Sequence, residues 1–316
     1  MSRKKNPIER KAIRDRHAFF GNTPPAINIL KDVQRIATKN TPILLEGETG
    51  TGKSLLARMI HESSQRKGHF VSINCSTFSP NLLETELFGH SQGAFTGARD
   101  ARKGLIASAQ KGTLFLDEIG ELPLDFQPKI LHLLEEKMIR PVGSDTEFEA
   151  SVRIIAATNL NLKERVKQGL FRADLYYRIN VIPFIVPPLR ERLGDIQELT
   201  SNFIEELCEE HDVPKPDIPM DALTALSKYD WPGNIRELRN HIERALLLGL
   251  ELHERLPQDR HLEASHTEQK LKSHEKMHIL KTISDSLGNK SKAAIQLGIS
   301  RRTLDRKLKR WKEDAA

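Results

Sequence analysis

The chain has 316 residues, of which 38% are hydrophobic and 29% are charged, so we expect a folded cytoplasmic protein. No apolar stretch approaches the roughly 20 residues that a membrane-spanning helix needs, and the amino terminus lacks the apolar core of a secretory signal. Two cysteines exclude a disulfide framework and a zinc site built on cysteines.

The net charge of +6 is unevenly distributed. Residues 270–316 contain 13 lysines and arginines against 5 acidic residues, and residues 1–16 contain 7 against 2, so the residues between them are net negative. A mildly acidic body with a basic end is typical of an enzyme-like core that carries a nucleic-acid-binding segment. A basic tail that only maintains solubility has the same signature, and charge alone leaves both interpretations open.

Short β-rich runs alternate with amphipathic helical patterns through the first 190 residues, which predicts an α/β domain with a mostly parallel sheet. The predicted strands are 42–46, 69–74, 112–116, 151–157 and 181–186. Residues 195–252 have helical patterns only, with a break at 231–233. Residues 256–269 are polar and aperiodic and predict a linker, after which the chain is helical and basic again.

A phosphate-binding loop is predicted directly after the first strand. Its residues are Gly47, Glu48, Thr49, Gly50, Thr51, Gly52, Lys53 and Ser54. The glycines allow backbone N–H groups to face phosphates at a helix N-terminus, where Lys53 would reach the β- and γ-phosphates of a nucleoside triphosphate and Ser54 would bind Mg²⁺. A chance glycine-rich turn is the alternative, but an apolar strand before the loop and an amphipathic helix after it disfavour that reading.

The third predicted strand ends in two carboxylates, Asp117 and Glu118. We expect Asp117 to belong to the magnesium site and Glu118 to polarise the attacking water. An ordinary acidic strand end would look the same in isolation, and the phosphate loop is what favours the catalytic interpretation.

Residues 93–98 form an unusual glycine-flanked segment with a bulky aromatic residue and a hydroxyl at its centre. A loop of this kind suits presentation of Phe95 and Thr96 to a partner. The residues alone nevertheless favour an internal turn with Phe95 directed inward.

The basic end has helix-turn-helix patterning, with helices predicted at 276–287, 290–297 and 301–309. Ser300 is a plausible N-cap for the third helix. The candidate DNA-binding residues are Lys290, Lys292, Ser300, Arg301, Arg302, Thr303, Arg306 and Lys307. A basic helical hairpin that serves oligomerisation is the alternative.

The motifs, taken in order, resemble those of the AAA+ bacterial enhancer-binding proteins, which activate sigma-54 RNA polymerase. The resemblance extends over roughly residues 19–310 and rests on the phosphate loop, 93–98, 117–118, 140–143, 156–159, 171–178, 188–192 and 231–238. It implies an AAA+ P-loop NTPase domain, a helical lid subdomain and a Fis-type helix-turn-helix domain. The expected boundaries are 1–16 for a basic extension, 17–190, 191–255, 256–269 for the linker, and 270–316.

The resemblance also implies roles for individual residues. Asn159 looks like the first sensor of the γ-phosphate, and Arg236 looks like the second sensor, on the lid. Arg172 and Arg178 look like arginine fingers for the ATP of a neighbouring subunit, a role that suits a planar, always-charged guanidinium. Asn74 resembles the family residue that restrains the catalytic glutamate.

The segment that corresponds to the sigma-54 contact loop of these activators is Gly93, Ala94, Phe95, Thr96, Gly97 and Ala98. The resemblance further implies a ring, six subunits being the family expectation, and double-stranded upstream DNA bound by dimeric tail domains. Only about 20 residues precede the ATPase motifs, too few for a regulatory domain, so we expect control by a separate protein, by expression level or by a domain removed from this chain.

One departure from the family pattern is Ser54, because many members have an acidic residue after the lysine, and we expect no loss of metal binding from it. Two rival functions stay open at this point. An AAA+ machine acting on DNA or replication proteins would share the ATP site but has no use for residues 93–98. A repressor with a vestigial nucleotide domain would have no need of an intact Lys53, Glu118 or arginine pair.

Overall fold

The computed structural model describes residues 20–77, 80–95, 100–254, 256, 282 and 301. The chain divides into two compact units, residues 1–254 and 255–316. The predicted basic extension, Thr96 to Ala98 of the contact loop, and nearly all of the predicted linker and helix-turn-helix lie outside the described residues. Of the candidate DNA-binding residues only Arg301 is described, as helical and exposed.

Ten helices and nine strands are assigned within the described ranges. The helices are α1 (Pro24–Ile36), α2 (Lys53–Ser63), α3 (Pro80–Phe88), α4 (Leu105–Ser108), α5 (Gln127–Glu136), α6 (Leu162–Lys167), α7 (Ala173–Ile179), α8 (Asp195–His211), α9 (Met220–Lys228) and α10 (Asn234–Leu248). The strands are β1 (Ile43–Glu46), β2 (Phe70–Asn74), β3 (Gly89–His90), β4 (Arg102–Lys103), β5 (Thr113–Asp117), β6 (Met138–Ile139), β7 (Phe148–Glu149), β8 (Arg153–Thr158) and β9 (Ile182–Ile185).

The central sheet has five parallel strands in the order β2-β5-β8-β1-β9. All five overlap the runs that the sequence predicted, with β5 and β8 each ending one residue later, and the predicted parallel α/β architecture is confirmed. The central strand β8 is buried along its whole length. A parallel sheet covered by helices on both faces buries its central strands on both sides, and the interior of β8, Ile154 to Ala157, is apolar.

Alternate residues of the strands enter two separate cores. Leu44, Leu116 and Ala156 pack on one face of the sheet, against helices that include α5 and α7. Leu45 and Phe115 pack on the other face, against α1 and α2. Because the strands are parallel, their carboxyl ends meet at one edge of the sheet, which is where ligands bind in open α/β folds.

The lid consists of α8, α9 and α10, and its helices break where the sequence predicted, between α9 and α10. Trp231 is fully buried in this break and donates its indole N–H to the carbonyl oxygen of Leu226 at 2.8 Å. Trp231 and Asn234 have positive φ angles, +48° and +55°. Asparagine tolerates this region better than most residues, whereas a bulky residue such as Trp231 is strained in it.

Two short hairpins lie beside the sheet. Strands β3 and β4 pair antiparallel and flank residues 91–101, and β6 pairs with β7. His90 forms a bridge with Val142, so the two hairpins are connected. In the described ranges, no helix is long and apolar enough to cross a bilayer.

Candidate functional site

The phosphate loop connects β1 to α2 in the predicted geometry. Gly50 and Gly52 have φ angles of +81° and +101°, in the left-handed region that glycine adopts without a steric penalty. A Cβ atom on Gly50 would also collide with the carbonyl oxygen of Gly233 in the lid. Helix α2 begins at Lys53, so its free N–H groups open toward the cavity that the loop encloses.

Lys53 lies inside the loop and is 6% exposed. Its ammonium group donates to the carbonyl oxygens of Gly47, at 2.7 Å, and Glu48, at 3.0 Å. Burial lowers the pKa of Lys53, and the nearby carboxylates of Glu118 and Asp117 oppose this shift. The cation is therefore held at the phosphate position by neutral carbonyl groups, which anionic phosphate oxygens outcompete.

The two predicted magnesium ligands lie next to each other. The Ser54 hydroxyl donates to Asp117 Oδ2 at 3.3 Å across the gap between α2 and β5. In the part of the chain that the structure describes, no cluster of three or more His, Cys, Asp or Glu residues could hold a metal ion. One hydroxyl and one carboxylate fit Mg²⁺, which is usually held by one or two protein oxygens together with substrate phosphates and water.

The second carboxylate at the end of β5 belongs to the same site. Glu118 has a φ angle of +53°, and its Oε2 accepts the backbone N–H of Asn159 at 3.2 Å. The Asn159 side chain donates to Thr49 Oγ1 at 3.0 Å. The structure thus brings the predicted water-polarising residue, the predicted sensor and the phosphate loop together.

Asn74 lies at the end of β2, in register with Asp117. Its Oδ1 atom accepts two hydrogen bonds from Ser76, from the backbone N–H at 2.8 Å and from the hydroxyl at 2.7 Å. Among the described contacts, the hydrogen bonds of the Asn74 side chain go to Ser76, and none joins that side chain to Glu118. Its predicted restraint of the glutamate stays a prediction.

A cavity of about 490 Å³ lies between the sheet edge and the lid, a size within the usual range for small-molecule sites. The predicted residues that line it are Thr49, Gly50, Gly52, Lys53, Ser54, Asn74, Asp117, Glu118 and Arg236. Sequence reasoning missed the apolar residues on its walls, Leu55, Phe203 and Ile235. Their spacing on amphipathic helices gives the same signal as ordinary core residues.

The sequence also missed two arginines that contact the phosphate loop from the segment just before α8. Arg192 is 1% exposed and donates to the carbonyl oxygens of Phe20 and Thr51, both at 2.7 Å. Arg190 pairs with the Glu48 carboxylate. Both arginines belong to the 188–192 motif, which was noted for its resemblance to the family but not for these contacts.

The two predicted arginine fingers lie away from the cavity. Arg172 forms an ion pair with Asp174, with Nη2 at 2.6 Å from Oδ2. Arg178 is exposed, and its Nη2 is 3.5 Å from the Leu134 carbonyl oxygen. Neither is among the described residues that line the cavity of this chain, an arrangement compatible with a role at another subunit's site.

Phe95 is 47% exposed, so the inward-facing turn that the residues alone favoured is wrong. Its ring lies 5.1 Å from the ring of His90, between ring centroids. The neighbouring Ala94 packs closely against Gly143, because a Cβ atom on Gly143 would approach the Ala94 Cβ to 2.6 Å. The Ser91 hydroxyl donates to the Gly143 carbonyl oxygen at 2.7 Å, which fixes the base of the loop.

A parallel sheet, a phosphate loop after β1 with paired carboxylates at the end of β5, and a helical lid over the site together define an AAA+ P-loop NTPase. Three family profiles match the chain in order. A profile described as "Sigma-54 interaction domain" matches residues 19–185, "AAA+ ATPase lid domain" matches 190–279, and "Bacterial regulatory protein, Fis family" matches 270–311. The chain belongs to the sigma-54-dependent transcriptional activators.

Individual relatives agree with this assignment. The chain is 42% identical over 312 residues to the regulatory protein AtoC of Escherichia coli K12, covering 93% of this chain and 68% of AtoC. It is 49% identical over 235 residues to the regulatory protein LuxO of Vibrio cholerae, covering 74% of this chain and 44% of LuxO. The crystal structure of NtrX from Brucella abortus in complex with ATP is similar, with 34% identity and a TM-score of 0.71 over 92% of this chain and 68% of that one.

Proposed function

We propose that this chain hydrolyses ATP and uses the cycle to remodel the closed promoter complex of sigma-54 RNA polymerase, so that the promoter can open. The observation that carries the proposal is the hydrogen bond from the Asn159 amide to Glu118 at the rim of the cavity that also contains Lys53. The same subdomain carries the half-exposed Phe95 in a segment that the sigma-54 interaction profile includes. The ATP bound to the similar NtrX structure supports ATP as the nucleotide.

Each residue around the cavity has a distinct task in this proposal. Lys53 exchanges its two carbonyl partners for the β- and γ-phosphates, and the first N–H groups of α2 bind phosphate oxygens. Ser54 and Asp117 hold Mg²⁺, which neutralises phosphate charge when it is bound. Glu118 orients the attacking water and withdraws its proton, while Asn159 and Arg236 contact the γ-phosphate from the sheet and from the lid.

Catalysis is completed across subunits. Arg172 and Arg178 extend toward the ATP of a neighbouring copy in a ring, for which six subunits is the family expectation. Asn74 restrains Glu118 until sigma-54 is engaged. Arg172 must leave Asp174 to act as a finger, and this exposed ion pair is weak enough to exchange.

Contact with sigma-54 is made by the 93–98 segment, whose described part, Gly93 to Phe95, exposes the Phe95 side chain. Residues 270–316 bind upstream DNA as a dimer through the candidate residues between Lys290 and Lys307. A separate regulatory protein controls the ring. The domain boundaries that go with this proposal are 1–16, 17–190, 191–255, 256–269 and 270–316.

Transcription in vitro with purified sigma-54 polymerase tests the proposal. A promoter fragment that carries the upstream site should give transcripts only when the chain and ATP are both present. Polymerase with a sigma factor of a different class, on its own promoter, is the matched control and should not respond. ATP turnover without any sigma-54 transcript would favour an AAA+ machine that acts on DNA or replication proteins. DNA binding that represses transcription without nucleotide would favour a repressor.

A further inference from the structure

The side chain of Glu48 extends from the phosphate loop to the lid rather than toward the nucleotide cavity. Arg190 binds it with both ends of its guanidinium group, Nη1 to Oε2 at 2.8 Å and Nη2 to Oε1 at 2.5 Å. Asn234 Nδ2 makes a third contact, to Oε2 at 3.2 Å. A bidentate arginine pair with an additional amide donor fixes both the position and the orientation of a carboxylate.

The backbone of the same loop is attached to the lid at the next three residues. The Thr49 carbonyl oxygen accepts from Asn234 at 3.0 Å, that of Gly50 accepts from the Ile235 N–H at 3.0 Å, and that of Thr51 accepts from Arg192 at 2.7 Å. Four consecutive loop residues are therefore held from the lid side. Helix α2 begins two residues after Thr51, and its first N–H groups have no partner within the helix.

A carboxylate in this position needs a counter-charge. The hydrogen bonds from Arg190 and then Asn234 lower the pKa of Glu48 to about 2, so the group is ionised at every physiological pH. A phosphate loop binds anions, and an uncompensated negative charge within it would oppose them. The Glu48 and Arg190 side chains are 43% and 41% exposed, so the pair adds little to the stability of the fold.

We propose that Arg190 and Asn234 are positioning residues for nucleotide binding, which neutralise the Glu48 carboxylate and hold it against the lid so that the phosphate loop accepts an anion. This inference rests on the proposed function, because it assumes that the cavity binds ATP or ADP. Arg190 and Asn234 would support that function without touching the phosphates or the attacking water.

Three variants separate charge compensation from simple packing. Arg190→Ala leaves the carboxylate unpaired and should raise the Kd for ATP and ADP roughly three- to tenfold. Adding Glu48→Gln to Arg190→Ala removes the unpaired charge and should recover most of that loss. Arg190→Lys keeps the charge without the bidentate geometry and should give an intermediate Kd.

The control is Arg35→Ala, because Arg35 forms an exposed ion pair with Asp32 on α1, outside the cavity. Its Kd should equal that of the wild type. Nucleotide affinity is measured by calorimetric titration of the full chain with magnesium ATP and ADP at 50 mM and 500 mM salt. The defect of Arg190→Ala should shrink at the higher salt, since screening weakens an exposed charge effect but not a packing defect.

Two results would overturn the inference. One is an Arg190→Ala protein that binds as tightly as the Arg35→Ala control. The other is a double variant that binds no better than Arg190→Ala alone. If the wild-type chain bound neither nucleotide, the proposed function itself would be wrong, and this inference with it.

Discussion

The backbone N–H of Asn159 donates to the carboxylate of Glu118 at 3.2 Å, so the end of β8 holds the acidic group that ends β5. The Asn159 side chain at the same time contacts Thr49 of the phosphate loop, at 3.0 Å. Movement at either strand end therefore displaces the group that we assign to water activation. Because the bond to Glu118 comes from the backbone, substitution of the Asn159 side chain leaves it in place.

Substitutions of Lys53 and of Glu118 should impair the site in different ways. Lys53→Ala should abolish nucleotide binding, because the ammonium neutralises phosphate charge in the ground state. Glu118→Gln should bind ATP normally and lose turnover by roughly 10²–10⁴-fold, because it acts only on the water. Calorimetric titration and a phosphate-release assay separate the two effects.

Glu121→Gln is the control for this pair, since Glu121 contacts Arg165 at 3.1 Å and does not line the cavity among the described residues. It should hydrolyse ATP at the wild-type rate. A Glu118→Gln protein with normal turnover would remove Glu118 from the mechanism.

Close contact between the lid and the phosphate loop depends on Gly50. Gly50→Ala places a methyl group against the Gly233 carbonyl oxygen, so the lid should separate and nucleotide affinity should fall at least tenfold. Gly169→Ala is a matched substitution, because Gly169 has a φ of +72° but open space around its Cβ position. Gly169→Ala should lower the free energy of unfolding by only about 1 kcal/mol, through backbone strain, and leave nucleotide affinity unchanged. Equal Kd values for the two variants would mean that the lid does not need this close approach.

Exposure of Phe95 predicts that its role is in partner contact. Phe95→Ala should keep ATP turnover within about twofold of the wild type and lose binding to sigma-54, because a large exposed aromatic residue supplies much of a contact surface. Phe148→Ala serves as the control, since Phe148 is 37% exposed on β7, outside the loop. Co-sedimentation of ring and sigma-54 with a transition-state analogue measures binding. Retained binding by the Phe95 variant would exclude this residue from the contact.

If the arginine fingers act between subunits, two inactive variants should complement each other. Arg172→Ala protein has an intact phosphate loop, and Lys53→Ala protein has intact fingers. The Arg172→Ala protein alone should lose roughly 10³–10⁵-fold in rate if the finger is as effective as in other systems, and the Lys53→Ala protein alone should bind no nucleotide. Mixed rings should recover part of the wild-type activity. Mixed rings that form, as seen by differential labelling, but never hydrolyse ATP would indicate that Arg172 acts in its own subunit.

Local sequence patterns were sufficient to predict much of the site. The phosphate loop and the carboxylates after β5 were predicted because a strand, a glycine-rich turn and a helix follow one another within a few residues. The pairing of Glu48 with Arg190 was not predictable, because the two lie far apart in the chain and an arginine in a motif does not indicate its partner. The orientation of Phe95 also depends on a distant residue, Gly143, which accommodates Ala94. Strands of two residues, such as β3 and β6, are too short to produce an alternating hydrophobic pattern in the sequence.

The measurement that bears most directly on the central claim is promoter opening by purified sigma-54 polymerase, followed by permanganate reactivity of unpaired thymines. We predict opening with the wild-type chain and ATP, and none with a non-hydrolysable ATP analogue, with Glu118→Gln, or with Phe95→Ala. Full opening by the Glu118→Gln protein, or by the wild type with the analogue, would contradict the claim that hydrolysis at this site drives remodelling.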